Sequence, residues 1–95
     1  MFVITLTYRA GLDQIDAALQ DHVAWLDQQY ADGVFLASGR RVPRVGGVIL
    51  ATGVTPAELE CRLDLDPFRR QGLAEYTVTE FVASRTAPGL ESLLT

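Results

Sequence analysis

The chain contains no lysine, a single cysteine and a single histidine. It also lacks any apolar run near the ~18–20 residues that a membrane-spanning helix needs, so no membrane partner is expected. The lone Cys61 excludes an internal disulfide and a cysteine-based metal site, and a reducing, cytoplasmic setting is the expectation. One histidine among scattered carboxylates has no metal-ligand spacing, so neither metal nor other cofactor is expected. The eight basic side chains are all arginine and give, with twelve acidic ones, a formal net charge of −4. Phosphate neutralisation needs clustered positive charge, which argues against a nucleic-acid partner. Met1 to Thr7 has neither a basic leader nor a cleavage site and reads as a strand, not a signal peptide.

What is present is an ordinary globular composition, 48% hydrophobic and 21% charged, in 95 residues. That length suits one domain with one modest core. The chain is organised around residues 12–33. At ~100° per residue, Leu12, Ile15, Leu19, Val23, Leu26 and Tyr30 fall into one narrow apolar stripe. The stripe predicts a helix packed on a sheet or another helix, with His22 on its shoulder. Asp13 is the expected N-cap, and Gly33 suits a left-handed stop.

Around this helix, Phe2, Ile4, Leu6 and Tyr8 alternate with polar or β-branched residues and predict the first strand. Val34–Ser38 and Val45–Thr52 predict a hairpin, with Gly39 to Arg44 as its polar end and turn. Thr55-Pro56-Ala57-Glu58 is a capping box with proline in the first helical position, so a second helix starts there, with Leu59 and Leu63 inward. It must end before Pro67, and Pro67 to Gly72 is a loop or single turn. Tyr76, Val78 and Val82 alternate with Thr77, Thr79 and Phe81 in a fourth strand. Residues 84–95 form a polar tail with a Leu90/Leu93/Leu94 cluster, frayed or docked on a partner.

The order β-α-β-β-α-β predicts a ferredoxin-like α+β fold, an antiparallel sheet with two helices on one face. The other face, with Val3 and inner residues of later strands, would leave an apolar patch. A homodimer paired sheet to sheet, alone or within a larger assembly, is therefore expected.

His22 supplies a base near neutral pH, and a carboxylate on its other ring nitrogen would fix the tautomer. Ser38, Gly39 and Arg40 end the second strand; they are read either as pocket lining, with Ser38 donating a hydrogen bond, or as a strand entering a turn. Arg40, Arg41 and Arg44 form a positive patch, read as a solvated hairpin tip or as a clamp for a substrate carboxylate or phenolate. Trp25, Tyr8, Phe35, Phe68 and Phe81 are core or an aromatic pocket floor, and Phe68 is the preferred pocket member.

Four features carry a resemblance to the YciI-like (YCII-related) family. They are His22-Val23-Ala24-Trp25-Leu26, Ala37-Ser38-Gly39, Gly46-Gly47-Val48-Ile49-Leu50, and Asp66-Pro67-Phe68 followed by Gly72-Leu73, together covering about residues 1–83. The resemblance implies a dimeric α+β barrel, similar to muconolactone isomerases and small monooxygenases. It also implies an active site built from the helix histidine and the aspartate of the Asp-Pro step, here His22 and Asp66. One branch is associated with dehydrochlorination of chlorinated hydroxyquinones. Many relatives carry another histidine a turn later, where this chain has Trp25 and Leu26, so no two-histidine mechanism is expected.

The first functional expectation is a small cofactor-free lyase or isomerase acting on a ring or lactone compound. His22 and Asp66 would be base and orienter, and Ser38, Gly39, Arg40 and Phe68 would hold the substrate. Exchange of His22 for alanine would then abolish turnover at little cost in stability. The alternatives are a non-catalytic small-molecule-binding or accessory dimer on the same scaffold, and a plain dimerisation module. In those readings His22 only hydrogen-bonds a ligand or sits on the helix surface, and Asp66 caps the turn before Pro67.

Overall fold

The computed structural model describes residues 1–94, so the last residue of the expected tail, Thr95, lies outside the described residues. Strands β1 (Phe2–Tyr8), β2 (Phe35–Arg40), β3 (Gly46–Ala51) and β4 (Ala74–Glu80) form one sheet. Its order is β2-β3-β1-β4 and every pairing is antiparallel. Helices α1 (Leu12–Ala31) and α2 (Pro56–Leu63) and the single turn α3 (Pro67–Arg70) complete an α+β fold compatible with the ferredoxin-like plan. No helix is long and apolar enough to cross a membrane among the described residues.

Period-2 alternation decides which way β1 faces. Phe2, Ile4 and Leu6 are buried with Ile49 and Ala51 of β3 and with Ile15, Trp25, Leu59, Leu63 and Phe68 of the helices. The opposite face pairs Val3 with Leu50 and Thr5 with Val48, and then Val3 with Thr79 and Thr5 with Thr77. It is thus a mixture of aliphatic and threonine side chains, and less apolar than expected.

The buried face of α1 corrects the expected stripe. Its buried residues are Ile15, Ala18, His22, Trp25 and Gln29, an arc rotated by roughly a quarter turn from the predicted one. Leu12, Leu19, Val23 and Tyr30 are exposed instead. Two polar residues hold the buried arc in place because each has a partner: His22 meets Asp66, and Gln29 accepts from Arg62 at 2.8 Å. Trp25 packs edge-on against Phe35 and donates its indole N–H to the Arg62 carbonyl at 2.9 Å, tying α1 to α2. His22 therefore lies within the packed arc, not on its shoulder.

The helix start also differs from expectation. Gly11 is the N-cap, without a side-chain cap, and Asp13 lies in the first turn, where a carboxylate still suits the exposed N–H dipoles. Gly33 at φ 75° ends the helix as expected. The strand β4 stops at Glu80, so Phe81 and Val82 lie beyond it. The tail carries one 3₁₀ turn at Glu91–Leu93, flanked by exposed Leu90 and Leu94.

The capping box forms completely: Glu58 N–H donates to Thr55 Oγ1 at 3.2 Å and Thr55 N–H to Glu58 Oε2 at 3.0 Å. It starts a helix of eight residues whose Leu59 and Leu63 are fully buried, each burial contributing about 1.5–3 kcal/mol. Thr55→Ala removes one acceptor and frees one donor, so a loss of about 1 kcal/mol is expected in urea unfolding, with unchanged slope.

Candidate functional site

Three elements deliver the central side chains. Helix α1 carries His22, the N-terminus of α3 carries Asp66 and Phe68, and β4 carries Tyr76. Proline at the first helical position sets the start of α3, and Asp66 caps it by accepting the Phe68 N–H on Oδ1 at 3.1 Å. That same Oδ1 lies 2.7 Å from Nδ1 of His22. Capping the turn and meeting the histidine are therefore one geometry, not alternatives.

Asp66 is fully buried, at 0% exposure, and His22 retains 8%. A buried carboxylate needs donors on both oxygens. Oδ1 has His22 and the Phe68 amide, while Oδ2 accepts the hydroxyl of Tyr76. No buried side-chain nitrogen or oxygen lacks a partner among the described residues. The Tyr76 phenol is held well above the ordinary tyrosine range, first by burial and then by the Asp66 charge and hydrogen bond. It therefore remains a donor at every physiological pH.

The imidazole is clamped by rings. Its plane lies 2° from that of Phe68, with centroids 3.9 Å apart, and Trp25 sits beside it at 5.6 Å. Tyr8 meets the other side of the motif, edge-on to Phe68 at 6.2 Å. With Nδ1 committed to Asp66, Nε2 is the nitrogen left to act as an acceptor.

His22 and Phe68 line a cleft of about 480 Å³ between α1 and the β2–β3 end of the sheet. Ser38, Gly39 and Arg40 line it as well. Asp66 lies behind the imidazole, outside the lining. Its apolar wall is the Leu19, Val23 and Leu26 side of α1, and this explains the exposed half of the predicted stripe. Across the rim Arg44 pairs with Asp16 at 2.5 Å.

Not every expected member keeps its expected task. The Ser38 hydroxyl lies 2.6 Å from the Tyr30 hydroxyl, which occupies one of its hydrogen bonds. Arg41 donates to Thr7 rather than entering the cleft. Arg40 has no side-chain partner among the described residues. Trp25 and Phe35 are core, Phe81 is exposed, and Tyr8 reaches the cleft. Tyr76 and the Arg44–Asp16 pair escaped the sequence reading. Strand alternation marks Tyr76 as inward-facing without indicating a carboxylate there, and Asp16 gives no local sign of its rim position.

A model of the YCII-related domain matches residues 1–82. No curated protein sequence matches the chain significantly. Among solved structures, the chain is similar to the 5-chloro-2-hydroxyhydroquinone dehydrochlorinase TftG from Burkholderia phenoliruptrix AC1100, in complex with 2,5-dihydroxybenzoquinone. The TM-score is 0.72 at 20% identity, over 84% of this chain and 91% of that one. At this identity the likeness supports a shared fold. The match over residues 1–82 takes in both sheet and helices, and the chain belongs to the YCII-related domain family.

Proposed function

We propose that the protein is a small enzyme that needs no cofactor and performs proton abstraction on a small ring or lactone compound, by elimination or isomerisation. The observation that carries this reading is the buried 2.7 Å contact between His22 and Asp66 at the edge of a ligand-sized cleft. Nε2 of His22 takes the proton from a ring carbon or hydroxyl. The released electron pair forms the new double bond. In an elimination the leaving group departs with its own pair, and in an isomerisation the imidazolium returns the proton to another ring carbon. Asp66 holds the Nδ1–H tautomer and stabilises the imidazolium that forms. Arg40, the cation on the lining without a side-chain partner among the described residues, holds the developing oxyanion in preference to Ser38, whose hydroxyl is engaged. The dehydrochlorinase of similar fold acts on a chlorinated hydroxyhydroquinone, which makes halogenated and hydroxylated quinols the first compounds to try.

The same reading takes the active form as a homodimer joined through the sheet face of Val3, Val48 and Leu50. The test is incubation of purified protein with a panel of hydroxyquinols and lactones, followed by mass spectrometry. Product formation that disappears in His22→Asn is expected. A compound that raises the melting temperature yet returns chemically unaltered would replace this reading with a binding or accessory role.

A further inference from the structure

Tyr76 enters the site from the one strand that contributes nothing else to it. Its register partner on β1 is Leu6, which places it on the helix-covered face of the sheet. From there its hydroxyl reaches Oδ2 of Asp66. On its other side the guanidinium of Arg69 lies 5.4 Å from the ring centroid, and Arg69 is itself held by Glu60 at 2.7 Å. The ring is thus fixed from α3 and α2 while its hydroxyl is spent on one oxygen.

Packing alone does not explain a tyrosine here, because phenylalanine fills the same volume. The carboxylate does explain it. Among the described residues both other donors to Asp66 act on Oδ1, so without Tyr76 the second oxygen is buried with no donor there. A buried carboxylate in that condition turns to share its remaining donors, which takes Oδ1 away from His22.

We propose that Tyr76 is a positioning residue, whose hydroxyl on Oδ2 holds Asp66 turned so that Oδ1 receives the Nδ1–H of His22. This role rests on the proposed base function of His22, for which a neutral imidazole with Nε2 bare is required. Tyr76 touches no substrate and acts only through Asp66.

The test uses the single histidine, whose ring signals need no assignment by mutation. In ¹⁵N-labelled wild type the Nδ1–H resonance of His22 is expected to persist against exchange with water. In Tyr76→Phe, with a native backbone amide spectrum, that proton should exchange on the order of tenfold faster or more, the equivalent of one lost charge-assisted hydrogen bond. An unchanged rate in Tyr76→Phe, alongside a resonance lost in Asp66→Ala, which leaves no side-chain acceptor at that position, overturns the role of Tyr76 and leaves the base reading standing. A resonance missing from wild type, or persisting in Asp66→Ala, overturns both. Should Tyr76→Phe not fold, wild type with ¹³Cζ-labelled tyrosines decides the matter. The Tyr76 signal should stay at its protonated position beyond the ordinary tyrosine range of about pH 10. Ionisation within that range overturns the proposal.

Discussion

His22→Asn should lower turnover by on the order of 10²–10⁴-fold, the usual contribution of a positioned general base. The amide nitrogen of asparagine sits near the place of Nδ1 and offers Asp66 a replacement donor, but nothing stands at Nε2. Binding through the Leu19, Val23 and Leu26 wall should survive, so the loss belongs in kcat with KM nearly constant. His22→Ala is the less informative change. It deletes a ring stacked at 3.9 Å on Phe68 and removes a donor from a carboxylate at 0% exposure. A stability loss of about 2–4 kcal/mol should follow, contrary to the expectation of little cost at a position on the shoulder of the stripe. Steady-state kinetics and thermal melts on both variants separate the effects. An asparagine variant that retains turnover within a few-fold of wild type would show that His22 is not the base.

A second large effect is expected at Gly46. A Cβ built there would stand 1.8 Å from the Leu6 carbonyl oxygen and 2.7 Å from its carbon, both backbone atoms of the central strand. No rotamer relieves such a clash. Relief requires β1 and β3 to part where Leu6 pairs with Gly47 and Thr7 with Gly46. Gly46→Ala should therefore cost about 4 kcal/mol or more, at the exceptional end for a single methyl group. Gly39→Ala is the control, since a Cβ there meets nothing within 4 Å. It should stay within about 0.5 kcal/mol of wild type. Denaturant midpoints for the two variants give the comparison, and equal midpoints would refute the steric argument.

Elements governed by local chemistry were legible in the sequence. The Thr55–Glu58 box, Pro56, Gly33 and the alternation of β1 each act within a few residues, and each lies where its chemistry indicates. The helix face was not legible, because hydrophobicity alone cannot separate a core wall from a cleft wall. Leu19 and Val23 are as apolar as Ile15, but they face the cleft, while His22 and Gln29 take core positions that their partners make tolerable. The pairing of His22 with Asp66 spans 44 residues and came into view through family resemblance, not through spacing. Tyr76 had neither aid.

The double use of Asp66 has a consequence for mutational surveys of this domain. Substitutions at position 66 unseat the start of α3 and the partner of His22 together, so an abundance screen will score the residue as structural. Substitutions at Arg40, exposed at the cleft, should pass the same screen unnoticed. A map of fitness minus abundance would therefore light up Arg40 and darken Asp66, although the proposed reaction uses both.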